Sequence, residues 1–347
     1  MNLISKKKIV YPISLRLRNY LKKYGRVNLI PLTYADLLRY SDSISTYDRN
    51  GKDTLWVSVY FEERLQIEIH EALKLCYAHL KSGGELNVLK HLYVDRIDMC
   101  TYGNTLPFRI RIVNKLNDNF DYFYIKKADA SRVYGLELEH LLSPNRIAFF
   151  IDNDLLVEEH IAGIPADQFL QGHFLDRHFD EIRVAKEFVK FNERCFVRLL
   201  GDMHSSNFVV DITPDFEETH YRMCALDFDQ QSFEGNKKVY MPQFFKQNLM
   251  FVKLVSKNLT KESVLQYQKE EHALINRRVR SSRYQVKDLL DAMVHDELST
   301  KEKIENLKKE LAKHYKNEVF LTAKTMGDLV KLSIKLIVGN LSGFNKK

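Results

Sequence analysis

Apolar and polar positions along the chain follow two periods. Phe61, Leu65, Ile69, Leu73, Cys76 and Leu80 recur at helical spacing, and Lys81-Ser82-Gly83-Gly84 supplies a stop, which predicts a helix ending near 82. The rest of 1–90 reads as an N-terminal extension with helical segments. No Pro/Gly/Ser linker follows it, so it is expected to pack on the remainder. Between 93 and 127 the pattern changes to short β-prone runs: Tyr93 to Thr101, Phe108 to Val113, then Tyr122 to Lys126 after the polar turn Asn117-Asp118-Asn119. These predict a meander. A helix over Gly135 to Leu142 and strands from Ile147 to Ile151 and from Leu155 come next. Phe179, Ile182, Ala185, Phe188 and Val189 then mark an amphipathic helix. Beyond 229 the chain reads as mostly helical, with apolar segments from Phe244 to Leu254 and from Leu329 onward, and no internal repeat or low-complexity tract interrupts it.

Composition narrows the class without choosing a chemistry. A chain of 347 residues with 45% hydrophobic content can bury a substantial core in two lobes. Cys76, Cys100, Cys195 and Cys224 are far apart and show no C-x-x-C spacing, so a reducing cytoplasm is the expected location. Lys6-Lys7-Lys8 is followed by Pro12, Arg16, Arg18 and Lys22 before any apolar signal core, and no membrane span is expected. The net charge of +7 is spread among acidic residues, as in Lys301 to Lys316 with Glu302, Glu305 and Glu310, so nucleic acid is not an expected partner. Arg277, Arg278, Arg280 and Arg283 read as a solvated helix face.

One stretch does point to a chemistry. Leu199-Leu200-Gly201-Asp202-Met203-His204-Ser205-Ser206-Asn207-Phe208-Val209-Val210 sets an Asp and an Asn five positions apart on a loop. Its flanks, Cys195 to Leu200 and Phe208 to Val210, read as short strands, and a third strand, Arg222 to Leu226, delivers Asp227-Phe228-Asp229 at its carboxyl end. Phosphoryl transfer needs a carboxylate beside the attacking hydroxyl and oxygen ligands that hold Mg²⁺ across the nucleotide phosphates. Asp202 suits the first role, Asn207 and Asp227 the second.

Gly201 to Asn207 resembles the G-D-x-H-x-x-N signature of aminoglycoside phosphotransferase and choline-kinase-like enzymes, and Asp227-Phe228-Asp229 resembles the triplet that stands there in place of D-F-G. The resemblance covers roughly 95–290. It departs in having Leu200 where a His often precedes the Gly-Asp pair, and H-R-D, the kinase Gly-rich loop and A-P-E are missing. It implies a bilobal, protein-kinase-like α+β fold: an antiparallel-sheet amino lobe over 91–160, a mainly helical carboxyl lobe over 161–347 with the catalytic loop, and the extension 1–90 packed on this core. It implies ATP and Mg²⁺ as cofactors. By the same resemblance, Gly103, Asn104 and Thr105 sit where a hairpin covers the nucleotide phosphates, and Lys126 is the phosphate-binding lysine with Lys127 in reserve. Glu137 or else Glu139 on the next helix is the lysine's partner, and backbone groups of Glu159, His160 and Ile161 at the hinge meet the adenine. His204 shapes the loop.

The implied activity is transfer of the ATP γ-phosphoryl group to a hydroxyl of a small molecule: an amino sugar, a sugar or an amino alcohol. A protein side chain as acceptor, and a nucleotide-binding pseudokinase with a regulatory role, are the alternatives. A metal-dependent phosphoesterase that ligates through Asp202 and His204 is the remote one, because no G-D-x-x-D or G-N-H-D/E cluster follows. Oligomeric state is left open.

Overall fold

The computed structural model describes residues 8–102, 106–172, 179–215 and 218–342. They form two compact units, one from 18–129 with 147–160 and the other from the described parts of 1–17, 130–146 and 161–347.

The first unit begins in α1 (Leu15–Lys23) and α2 (Tyr34–Leu37) and is built on a sheet of seven strands. In chain order these are β1 (Asp42–Tyr47), β2 (Asp53–Tyr60), then after α3 (Glu63–Ser82) β3 (Leu92–Cys100), β4 (Phe108–Asn114) and β5 (Phe120–Lys127). After α4 (Ala130–Leu142), which belongs to the second unit, come β6 (Phe149–Asp152) and β7 (Leu155–Glu159). The order across the sheet is β1-β2-β3-β4-β5-β7-β6, every neighbour antiparallel. The stripe that predicts α3 is what packs: Ile69, Ala72, Leu73 and Cys76 are buried with Ile97, Ile110, Phe123, Ile125 and Val157 from one face of the sheet. Gly83 ends the helix at φ 62°, a left-handed position that glycine adopts without a Cβ penalty.

Alternation sends the intervening residues to the other face, which is polar and aromatic. Asp98, fully buried, accepts from Ser58 Oγ at 2.8 Å and from Arg109 Nη2 at 2.7 Å, and the Arg109 guanidinium lies 4.6 Å from the Trp56 ring centre. Besides the helical segments expected in 1–90, residues 42–60 form a hairpin that extends the meander. β1 is exposed on both sides, so no alternation marks it in the sequence.

In the second unit β8 (Ile164–Pro165), β9 (Phe208–Pro214) and β10 (Thr219–Ala225) form a small antiparallel sheet in the order β10-β9-β8. The rest is helical: α5 (Ala166–Gly172), α6 (Glu181–Arg198), α7 (Leu249–Asn258), α8 (Lys261–Ser281), α9 (Arg283–Met293), α10 (Lys301–Tyr315) and α11 (Met326–Ser342). An antiparallel sheet followed by a mainly helical part is thus the architecture, as expected. Among the described residues no helix is long and apolar enough to cross a membrane.

The run Cys195 to Leu200 is not a strand. It is the last turn of α6, with Leu199 as a left-handed cap at φ 55° and Leu200 bridging to Gln231. Its residues are β-prone, but the stripe Val184, Ala185, Phe188, Phe191 and Cys195 continues at helical spacing, and packing overrides propensity. Ile182, expected on that stripe, is exposed.

Leu73 is fully buried between α3 and the sheet. Leu73→Ala should lower the unfolding free energy by about 2–5 kcal/mol, read as a lower urea midpoint at unchanged slope.

Candidate functional site

The loop between α6 and β9 is shaped from both ends. A Cβ at Gly201 would meet Val239 Cγ1 at 2.9 Å and the Gln230 carbonyl oxygen at 3.0 Å, so only glycine fits without displacement. Asp202 follows at φ 63°, a left-handed conformation that side chains other than glycine adopt at a cost. Its N–H donates to the Val239 carbonyl at 3.1 Å, and its carbonyl accepts from His204 N at 2.9 Å and Asn207 Nδ2 at 2.9 Å. Asn207 N in turn donates to the His204 carbonyl at 2.8 Å, and Leu226 N to the Asn207 carbonyl at 2.8 Å. The last bond ties the loop to the chain leaving β10, so Asp202, Asn207 and Asp227 are brought together as expected from their order in the sequence.

The surroundings of Asp202 change its proton affinity. Burial pushes the Asp202 carboxyl up to about 7, and the negative charges of Asp227, Asp229 and Glu234 add to it. His204, whose Nε2 lies 3.8 Å from Asp202 Oδ1, is held below its ordinary value, first by burial. Its Nδ1 accepts from the Ser206 N–H at 3.3 Å within the loop, and it is not the cation that balances the acids around Asp202.

Compensation comes from Arg132, a residue the sequence reading did not single out. Its Nη1 donates at 2.8 Å to Asp227 Oδ1 and at 2.8 Å to Asp229 Oδ1, and its Nη2 reaches the Leu226 carbonyl at 3.4 Å. The side chain is 2% exposed. Its helix packs hard against the same segment: a Cβ at Gly135 would lie 3.0 Å from Phe228 Cβ and 3.3 Å from Gln231 Cβ. The structure buries α4 nearly all round, so an Arg on it must find carboxylates, but with Glu137, Glu139 and His140 on the same helix the sequence does not mark Arg132 out. Breaking such a buried pair costs about 3–5 kcal/mol.

Among the other expected residues, Lys126 projects from the same side of β5 as Tyr122 and Tyr124, and its Nζ lies 3.0 Å from Glu158 Oε2 on β7, with Lys127 exposed. Glu137 accepts from Gln285 Nε2 at 3.4 Å, whereas Glu139 pairs with Arg198 and accepts from Asn145 Nδ2 at 2.8 Å, so both lie in the second unit. Of the residues expected at the hinge, Glu159 donates its N–H to the Ala148 carbonyl at 2.9 Å, the His160 ring lies edge-on to Tyr122 at 5.9 Å and tilted to Tyr124 at 6.0 Å, and Ile161 opens the last segment of the second unit. Gly103, Asn104 and Thr105 lie outside the described residues.

The donors suit a hard cation. Asn207 spends its amide nitrogen on the Asp202 carbonyl, which turns its Oδ1 away from that bond, and Asp227 adds a part-exposed carboxylate. Among the described residues no group of three or more His, Cys, Asp or Glu side chains forms a metal cage.

The raised affinity of Asp202 has a signed consequence. From its ordinary value of 3.8 up to about 7 the folded protein keeps a proton that the unfolded chain releases, so stability falls as pH rises through that window. In metal-free buffer Asp202→Asn should stabilise the fold by roughly 2–3 kcal/mol at about pH 8 and give no gain near pH 4, read from thermal melts across pH.

No family model matches the chain, and no curated protein matches it. Among solved structures, the crystal structure of Rad53 1-466 in complex with AMP-PNP aligns with it at 11% identity and a TM-score of 0.27, over 69% of this chain and 73% of that one. A superposition that loose decides nothing about function, and the residues of the site carry the reading.

Proposed function

We propose that this chain is an ATP-dependent phosphotransferase of the protein-kinase-like, aminoglycoside phosphotransferase or choline kinase type, acting on a hydroxyl of a small molecule such as an amino sugar, a sugar or an amino alcohol. One observation carries the reading: a single hydrogen-bonded loop, tied to the end of β10, gathers a proton acceptor and two oxygen donors of the kind phosphoryl transfer uses.

On this reading Asp202 accepts the acceptor hydroxyl's proton at its carboxylate. A proton affinity near neutrality matches that task, since a base works best when its affinity lies near the working pH. Asn207 Oδ1 and the Asp227 carboxylate would hold Mg²⁺, which when bound neutralises phosphate charge as the bond to the leaving oxygen lengthens. Lys126 offers a compact cation to the phosphates from the sheet, and Glu158 beside it keeps the ammonium oriented. Residues 91–160 would carry the nucleotide, 161–347 the acceptor.

A second reading, a nucleotide-binding pseudokinase, draws support from Arg132, which already compensates Asp227 and Asp229.

Binding and chemistry separate the two. Mg-ATP at about 100-fold above its dissociation constant should add about 2.7 kcal/mol to the stability of the protein, seen as a raised melting temperature. Asp227→Asn should lose most of the metal-dependent part of that gain. Asp202→Ala should keep it and lose phosphoryl transfer from γ-labelled ATP to any working acceptor. A wild-type melt unmoved by saturating Mg-ATP would overturn the phosphotransferase and the pseudokinase together; a raised melt with no transfer across an acceptor screen leaves the pseudokinase.

Lys126 has its own test. Lys126→Met should cut turnover by about 10²–10³-fold. Because this removes a charge partner of the nearly buried Glu158, the double variant Lys126→Met with Glu158→Gln keeps the sheet's charge balanced and should be as inactive. Near wild-type turnover in both, with Lys127→Met inactive, would move the role to Lys127.

A further inference from the structure

We infer that Arg132 is a built-in counter-cation that competes with the divalent metal for Asp227, and so sets how tightly the site holds it. The inference rests on Asp227 being a metal ligand, as proposed above. Asp227 Oδ1 already accepts from Arg132 Nη1 at 2.8 Å and from the backbone N–H of Asp229 at 3.0 Å. The same guanidinium nitrogen holds Asp229 Oδ1 at 2.8 Å, so the positive charge is shared by both carboxylates.

Two arrangements keep Arg132 there. Its Nη2 reaches back to the Leu226 carbonyl at 3.4 Å, and the guanidinium carbon lies 5.9 Å from the Phe228 ring centre, so it contacts four successive residues of 226–229. The backbone of α4 is pressed onto that segment at Gly135, one turn further on, which leaves the guanidinium little room to withdraw. A divalent cation arriving at Asp227 therefore meets a fixed positive charge and a carboxylate oxygen already committed to two donors. Both effects weaken metal binding. Nucleotide phosphates bring the negative charge that offsets the repulsion, so the arrangement favours metal that arrives with the nucleotide over metal alone.

The test counts Mn²⁺ bound to nucleotide-free protein by electron paramagnetic resonance, in the wild type, Arg132→Gln, Arg132→Lys and Arg132→Gln combined with Asp227→Asn. Glutamine keeps a hydrogen-bonding amide without charge, and lysine keeps the charge. Arg132→Gln should bind Mn²⁺ about tenfold more tightly than wild type, and Arg132→Lys within about twofold of it. A folded Arg132→Gln that binds no tighter than wild type overturns the inference, as does an equal gain in Arg132→Lys. If Arg132→Gln combined with Asp227→Asn binds Mn²⁺ as tightly as Arg132→Gln alone, the metal assignment itself fails, which is a different result.

Should Arg132→Gln lack a cooperative melt, the wild type still decides. With ¹⁵N-labelled arginine, and the Arg132 signal assigned by its loss in Arg132→Lys, its Nε–H resonance should shift during a Mg²⁺ titration. A resonance that stays put while Mg²⁺ displaces bound Mn²⁺ overturns the competition.

Discussion

The contact between Arg132 and the carboxylates of Asp227 and Asp229 is what allows an acidic site to be built inside a packed unit. Burial raises the Asp202 carboxyl toward neutrality, and the nearby charges of Asp227, Asp229 and Glu234 add to the rise. Two of the four rest on a single buried guanidinium, and Glu234 has Lys303 at 3.1 Å. Among the described residues Asp202 has His204 at 3.8 Å beside it, an imidazole whose proton affinity burial holds below its ordinary value. A carboxyl with a proton affinity near neutrality follows first from its burial and then from the carboxylates around it, while the cations Arg132 and Lys303 pair with its neighbours.

The stem of the loop depends on a second set of buried ions. Glu139 of α4 pairs with Arg198 at the end of α6, and Arg194, one turn earlier, lies 2.6 Å from Glu187 and 3.4 Å from Glu271 of α8. Arg194 Nη2 and Asn145 Nδ2 both reach the Met223 carbonyl on β10, and Gln231 Nε2 donates to the carbonyl of Arg198. Buried pairs of this sort add little net stability over apolar packing, yet each demands one geometry. They bring α4, α6, α8 and β10 together just before the left-handed turn at Leu199 and Asp202. Strained backbone persists only where its surroundings over-determine it, and here the bonds on both sides of Gly201 do so.

Much of this was legible in the sequence, for a physical reason: period and spacing are local properties. The stripe of α3, its glycine stop, the meander β3 to β5 and the order of Asp202, Asn207 and Asp227 all follow from residues close in sequence. What escaped is nonlocal. Cys195 to Leu200 has strand-like composition and becomes helical because the apolar stripe of α6 continues through Cys195 into the packed unit, where Arg198 also finds its carboxylate, Glu139, on α4. The β1 strand shows no alternation because it is exposed on both faces, although the turn at Asp48 to Gly51 and the run Thr54 to Val59 were readable as a hairpin. Arg132 sits on a helix that also carries Glu137, Glu139 and His140, and nothing nearby in sequence names its partners 95 and 97 positions on.

The sheet places its lysine by register. On β5 the buried Phe123 and Ile125 face α3's core, so Tyr122, Tyr124 and Lys126 must face the other way, and a slip of one residue would put Lys127 there and drive Lys126 into apolar packing. Register is held by both neighbours, Ile110 opposite Phe123 on β4 and Val157 opposite Ile125 on β7. Glu158 then meets Lys126 diagonally across the β5–β7 pair, since Tyr124 is its direct partner. The lysine's orientation is thus a consequence of core packing on the opposite face of the sheet.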